Sequence, residues 1–159
     1  MEYIVPDVPY IGQKTPATCW NAAYKMMLKW KRREESNADS LPNEAAMRER
    51  GILDSEFLLC REKLGLTSSV ASGFQTAEDI ETKLNMYGPI WVSGDYCEGK
   101  YKHILILRGV RDPWVGAAEV FVNDPYSQFR YGLPHARWID LKLFAKRMNK
   151  VHFSCQHWG

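Results

Sequence analysis

A chain of 159 residues with 45% hydrophobic and 25% charged residues has the size and composition of one globular domain, so we expect a single unit over 1–159. Its 21 basic and 19 acidic side chains leave a net charge of +2, which predicts neither nucleic acid nor an anionic membrane as a partner. No apolar stretch reaches the roughly 18–20 residues that a membrane span needs, so membrane-spanning classes are excluded together with disordered and fibrous ones.

The N-terminus lacks the basic segment and apolar run of a Sec signal peptide, so we expect synthesis in the cytoplasm. The cysteines stand at 19, 60, 97 and 155, with no two closer than 37 residues. This spacing excludes a C-x-x-C redox or zinc motif, and we expect free thiols and no metal site.

The N-terminal part of the chain predicts an extended arm followed by a long helix. Residues 1–17 contain three prolines and a glycine, which favour an extended arm ending in a loop. From Thr18 onward, apolar residues recur at helical spacing and predict a helix of about 13–15 residues. Thr18 suits the N-cap, which places Cys19 in the first turn. The basic residues at 29–33 are interpreted as the solvated end of this helix.

Three further helices are predicted between residues 43 and 88. The first covers 43–50, the second begins near Asp54 and stops at Gly65, and the third begins at Thr76 and stops at Gly88.

The second half of the chain is rich in predicted strands. Segments at 89–93, 103–110 and 118–123 are short and apolar, and a helix over 141–148 and a strand over 151–155 follow them. Helices first and strands after them define an α+β class.

Cys19 is a candidate nucleophile because it opens the long amphipathic helix. A thiol attacks as its thiolate, which a helix N-terminus or a neighbouring imidazolium favours. Gln13, six residues earlier, lies on a loop that could bring its amide beside the helix start, where it could donate to an oxyanion together with the Cys19 backbone N–H. A small buried cysteine is the competing interpretation, and for an isolated cysteine it is the commoner one.

His103 and the residues after the next strand could complete the site. His103 begins an apolar strand, where an isolated histidine is most often a core or rim residue. Asn123 and Asp124 end the following strand before Pro125, in a pattern that also suits an Asx turn. An activated Cys–His pair needs a third group that orients the imidazole, and Asn123 or Asp124 could supply it if the two strands are antiparallel neighbours.

The order Gln, Cys, His and then Asn or Asp resembles the papain-like cysteine proteases. The specific features are the six-residue spacing from Gln13 to Cys19, the Cys19-Trp20 pair at a helix start, and a His103 strand that runs into Gly109. Within that superfamily the chain is most similar to compact bacterial effectors and to bacteriocin-processing peptidases, which carry a Gly-Pro-Ile/Leu-Trp-Val segment like that at 88–92. The resemblance spans about residues 8–126.

This resemblance implies a papain-like fold, with the nucleophile on an N-terminal helical part and the His and Asp or Asn on a mainly antiparallel sheet. It implies Cys19 as nucleophile, His103 as base, Gln13 as oxyanion donor and Asp124 as orienting residue, with Asn123 as the alternative. The implied reaction is hydrolysis of a peptide bond in a protein substrate, and no cofactor is implied.

The substrate contacts are less strongly encoded. Trp20, Trp91, Tyr96 and Tyr126 are candidates to line the substrate cleft, although aromatic side chains more often supply cores. The segment 95–100, just before His103, is predicted to be a loop at the rim of the cleft.

Two other functions stay open. One is an amidase, deamidase or peptidoglycan hydrolase with the same Cys–His chemistry, and the other is an inactive binding module of the same fold. A protease without signal peptide or pro-segment endangers the cell that makes it. We therefore expect an effector or toxin that a specialised secretion system exports into a target cell, with a cognate immunity protein as a candidate partner.

Overall fold

The protein consists of one antiparallel sheet with helices packed against it. Most of the helices come before the long strands in the chain, and two come between the last strands. A computed structural model describes residues 1–68, 74, 76–97, 101–132, 135–148 and 156–159. The helices are α1 (Cys19–Trp30), α2 (Glu44–Arg50), α3 (Phe57–Lys63), α4 (Ala77–Tyr87), α5 (Pro125–Tyr131) and α6 (Leu141–Arg147). Short 3₁₀ helices cover Glu35–Asp39 and Asp54–Glu56. The strands are β1 (Glu2–Ile4), β2 (Thr67–Ser68), β3 (Ile90–Cys97), β4 (Tyr101–Arg111), β5 (Glu119–Asn123), β6 (Ala136–Asp140) and β7 (Gln156–Trp158).

Strand β4 is the centre of the sheet. The strands follow the order β2-β7-β3-β4-β5-β6, and every pair is antiparallel. Strand β1 also pairs with β4, at residues 109–111, beyond the point where β3 ends its pairing. Consecutive buried residues at 104–107 show that both faces of β4 are covered, and helices α1 and α4 pack against this strand.

The predicted helix ends at glycines are confirmed. Gly51 and Gly88 follow the last residues of α2 and α4, and Gly65 lies two residues after α3. Gly88 has a φ of 75°, and a Cβ there would overlap the ring of Trp30. This turn therefore needs glycine both for its backbone conformation and for the close approach of α1.

Helix α1 begins as predicted, but it is held differently at its start. It has 12 residues, and Thr18 occupies the N-cap position. The Thr18 hydroxyl makes no cap hydrogen bond; it bonds instead to the backbone of Thr15. The first N–H groups of the helix are therefore left to other acceptors.

Several elements differ from the sequence prediction. Helix α5 and strands β6 and β7 were not predicted, and residues 95–97 belong to strand β3 rather than to a loop. Residues 98–100 and the predicted strand over 151–155 lie outside the described residues.

Two of the four cysteines are described as free thiols. Cys19 and Cys60 are both buried and unpaired, whereas the side chain of Cys97 and all of Cys155 lie outside the described part. No helix in that part of the chain is long and apolar enough to cross a membrane.

Candidate active site

Cys19 is the first residue of α1, and the residues that follow it in the helix pack in the core. Residues 20–24 and 26–28 of the helix are buried, so the helix axis is fixed by packing over most of its length. Cys19 itself is 8% exposed and lines a cleft. The sulfur is therefore held rigidly at a helix N-terminus and is reachable from solvent.

His103 lies on the central strand and contacts Cys19. It is 4% exposed and pairs across the sheet with Gly94 of β3. Its Nε2 lies 2.7 Å from Oδ1 of Asp124, and the thiol of Cys19 hydrogen-bonds to the same ring. Because Nε2 is occupied by Asp124, Nδ1 is the ring nitrogen left for the sulfur.

The Asp124 carboxylate is held by three groups. Besides the His103 ring, its Oδ1 accepts the backbone N–H of Tyr126 at 3.0 Å. Its Oδ2 accepts from Nη2 of Arg137 at 2.9 Å. Asp124 caps α5, Pro125 occupies the first position of that helix, and the arginine comes from the neighbouring strand β6. No motif in the sequence marks Arg137 for this role.

These contacts shift the pKa values of His103 and Asp124 so that both side chains are ionised. Burial lowers the pKa of His103, but its hydrogen bonds with Asp124 and Cys19 outweigh this and raise that pKa to about 10. Burial raises the pKa of the Asp124 carboxyl, but its contacts with His103 and Arg137 outweigh this and hold it below the usual value. At neutral pH the imidazole is therefore protonated and the carboxyl ionised.

Asn123, the alternative third residue, lies away from His103. It is fully buried, and its Nδ2 donates to the carbonyl oxygen of Pro9 at 3.1 Å. Successive residues of an extended segment point to opposite sides, so Asn123 and Asp124 cannot both face the imidazole. The structure brings Asp124 to His103 and gives Asn123 a contact with the N-terminal arm.

Gln13 organises the loop that leads into α1. Its Nε2 donates to the carbonyl oxygens of Thr15 at 2.8 Å and Pro16 at 3.2 Å, and its backbone N–H donates to Pro125. The side chain is buried and does not line the cleft in the described residues. Both amide protons are therefore used within the loop, and donation to an oxyanion would require one of them to be released.

Two of the four residues predicted to contact substrate lie in the core, so this prediction was wrong for them. Trp20 and Trp91 are fully buried; the Trp20 indole donates to the carbonyl of Met47, and the Trp91 ring stacks on Tyr24. Both lie on elements whose inward face forms the core, which apolar periodicity cannot distinguish from a cleft wall.

The other two candidates do line the cleft. Tyr96 is buried and Tyr126 is half-buried, and both face the cavity that contains Cys19 and His103. This cavity has a volume of about 1070 Å³. Its apolar wall includes Ile52, Leu53 and Phe57, none of which the sequence singled out for this role. In the described part of the chain, no three His, Cys, Asp or Glu side chains converge as metal ligands would.

The α+β fold and this juxtaposition of Cys, His and Asp are compatible with a papain-like fold. A family model described as papain-like cysteine protease AvrRpt2 matches residues 3–140, and the chain belongs to this family of bacterial effector proteases. The match extends beyond the 8–126 range of the sequence resemblance, through β6 and Arg137. A search of curated proteins finds no match to the chain.

Proposed function

We propose that this protein is a cysteine endopeptidase in which Cys19, His103 and Asp124 act together. The observation that carries the proposal is the contact series from the Cys19 thiol through the His103 ring to the Asp124 carboxylate, at the wall of an open cleft. The family supports a cysteine protease and therefore protein substrates.

The proposed cycle begins with an ion pair between the Cys19 thiolate and the protonated His103. The thiolate sulfur bonds to the carbonyl carbon of a peptide bond, and the imidazolium passes its proton to the leaving amine as the C–N bond breaks. His103, now neutral, takes a proton from water, which attacks the thioester and releases the carboxylic acid and Cys19. Asp124 keeps the ring oriented and its charge balanced throughout.

The oxyanion of each tetrahedral intermediate needs donors beside the sulfur. The backbone N–H of Cys19 belongs to the first turn of α1, where N–H groups have no partner within the helix. We assign Gln13 as the second donor, in the role that its spacing to Cys19 predicts. This assignment requires the Gln13 amide to exchange its contact with Thr15 or Pro16 for one with substrate.

The variants Cys19→Ala and His103→Ala test the proposal against a proteome lysate in which new N-termini are identified by mass spectrometry. Wild-type protein should generate cleavages that both variants lose, whereas Cys60→Ala, which removes a buried thiol that does not line the cleft, should keep them. Retained proteolysis in Cys19→Ala would refute the assignment. If the wild type cleaves no protein but releases ammonia or degrades sacculi, the chemistry is that of an amidase or peptidoglycan hydrolase.

A thiol-directed alkylating reagent separates an active protease from an inactive binding module. Burial, followed by the nearby Glu56 carboxylate, raises the pKa of Cys60 to about 12, so this thiol should resist the reagent at neutral pH. Peptide mass mapping should find rapid modification of Cys19 and none of Cys60 in the folded protein. Equal modification of the two residues would contradict an activated nucleophile.

We further propose that the protein is an exported effector or toxin that cleaves proteins of a target cell, made in the cytoplasm and restrained there by an immunity protein. The family of bacterial effectors supports this setting. Tagged Cys19→Ala, expressed in the producing strain, should recover one specific partner that inhibits the wild-type enzyme. Recovery of no such inhibitor would contradict the immunity protein.

A further inference from the structure

The cleft around Cys19 is far more basic than the rest of the molecule. The whole chain has 21 basic and 19 acidic side chains. Among the described residues that line the cleft, the one carboxylate is Asp124, against five Arg and Lys side chains. These are Arg50, Lys102, Arg130, Arg137 and Arg147. Positive charge is therefore concentrated at the site by the fold.

Three of these five cations are already matched by carboxylates. Arg50 binds Glu56 through both terminal nitrogens, at 2.6 and 3.0 Å. Lys102 pairs with Asp54 at 2.9 Å, and Arg137 pairs with Asp124 at the same distance. These pairs leave little net charge to act on a substrate.

Arg130 and Arg147 form no such pair with a carboxylate of the described residues. Arg130 hydrogen-bonds to the hydroxyl groups of Tyr126 and Tyr131. Arg147 makes no ion pair within the described part of the chain, and its side chain is half-buried. A guanidinium that lines a cleft without a carboxylate partner is free to bind one from a ligand, through two parallel hydrogen bonds.

The two arginines reach the site from opposite edges of the central strand. Arg147 ends α6, next to Met148, which bridges to Gly94, and Gly94 is the sheet partner of His103. Arg130 lies on α5, which begins directly after strand β5 and Asp124. A peptide bound across Cys19 and His103 would pass both cations.

Cations are also common in the last turn of helices, where they stabilise the helix dipole. Lys146 shows the difference, because it shares the last turn of α6 with Arg147 but is exposed and does not line the cleft. The helix end explains a cation at either position. It does not explain why the arginines of both helices face the same cavity.

We infer that Arg130 and Arg147 select substrates by binding Asp or Glu side chains beside the scissile bond, so that the protease prefers acidic segments of its target proteins. This inference rests on the proposed endopeptidase function. Loss of one ion pair between an arginine and a substrate carboxylate, at these exposed or half-exposed positions, should lower kcat/KM by roughly fivefold, mostly by raising KM.

The test is a cleavage profile on a proteome-derived peptide library. Wild-type enzyme should enrich Asp or Glu at positions flanking the cleaved bond, and Arg130→Gln/Arg147→Gln should lose this enrichment while still cleaving neutral peptides. Lys146→Gln, which removes the same charge one residue away, should keep the wild-type profile. A wild-type profile without acidic enrichment, or one that the double variant preserves, would overturn the inference.

A binding measurement separates this inference from the proposed activity. Fluorescence anisotropy with Cys19→Ala compares a Glu-rich peptide with its Gln-for-Glu counterpart at low and high salt. Tighter binding of the Glu peptide, weakened by salt and by Arg130→Gln/Arg147→Gln, supports acidic recognition even if the wild type cleaves nothing. Equal binding of the two peptides overturns it, whatever the outcome of the protease assay.

Discussion

The Asp124 carboxylate binds a ring, a guanidinium and a backbone N–H with its two oxygens. Oδ1 faces His103 and the N–H of Tyr126, while Oδ2 faces Arg137. A carboxylate fixed at three points cannot rotate, so the imidazole it binds has one orientation toward Cys19. At the scale of single residues, the precision of the site is set by the partners of Asp124 as much as by the Cys–His contact.

Arg137 is accordingly a positioning residue whose loss should be visible in the pH profile. In Arg137→Met the Asp124 carboxyl loses a cation, so its pKa rises and the acidic limb of kcat/KM should move to higher pH. The less constrained carboxylate should also lower kcat/KM by about tenfold. Arg137→Lys should restore part of both effects, and an unshifted acidic limb in Arg137→Met would contradict the role.

The raised pKa of His103 makes the stability of the protein depend on alkaline pH. The unfolded imidazole has a pKa of 6.5 and the folded one about 10. The stabilisation from the charged ring is therefore complete below pH 6.5 and is lost as pH rises toward 10. Urea titrations should show that wild type loses more free energy of unfolding over this interval than His103→Asn does. His135→Asn, at an exposed position, is the control and should behave like wild type. A difference between wild type and His103→Asn that stays constant with pH would contradict the charged pair.

At the scale of elements, helix α5 connects the site to the fold. Asp124 is its N-cap and Pro125 its first residue, so one side chain both starts the helix and binds the imidazole. Asp124→Asn keeps an oxygen that can cap but removes the countercharge of His103, so it should lose the stabilisation that the charged ring supplies below about pH 10. Asp124→Ala removes the cap as well, and its free energy of unfolding should be lower than that of Asp124→Asn by about 1 kcal/mol.

Activity should separate from stability in this pair of variants. Both remove the countercharge of His103, so both should lower kcat at least roughly tenfold. Equal destabilisation by Asn and Ala would show that the side chain does not act as the cap. Near-wild-type activity of Asp124→Asn would show that its charge is not needed.

The sequence predicts some elements well and misses others for local and non-local reasons. The ends of α2, α3 and α4 are predictable because glycine stops a helix by local backbone chemistry. Helix α5 was missed because Asn-Asp-Pro suits an Asx turn as well as an N-cap followed by proline at the first helical position. Strand β6 was missed because all five of its residues are half-buried, so it lacks the alternation that predicts a strand.

At the scale of the whole molecule, the sequence predicts those residues of the candidate site that stand at a characteristic spacing or next to a predicted strand or helix. The Gln13–Cys19 spacing, the position of His103 near the start of an apolar strand and that of Asp124 directly after the next one can be read from the sequence. Arg137 and Arg147 do not follow from such spacing, since only the pairing of β5 with β6 and the return of α6 toward β3 bring them to the cleft. Arginine is a common residue, and these two lie far from Cys19 along the chain, so the sequence does not indicate that they line the same cavity.

The C-terminal strand tests how far the core extends beyond the family match, which ends at residue 140. Strand β7 lies between β2 and β3; its Trp158 is 7% exposed and stacks on Tyr87 with ring centroids 4.8 Å apart. Trp158→Ala should therefore lower the free energy of unfolding by about 3–5 kcal/mol, measured by urea titration with circular dichroism.

Trp114 provides a control of the same chemistry, because it is fully exposed on the turn between β4 and β5. Trp114→Ala should change the free energy of unfolding by less than about 0.5 kcal/mol. If the two substitutions have equally small effects, β7 is not part of the stabilising core. If only Trp158→Ala lowers the free energy of unfolding strongly, β7 stabilises its neighbour β3. Residues after the family match would then help to hold the strand whose Gly94 pairs with His103.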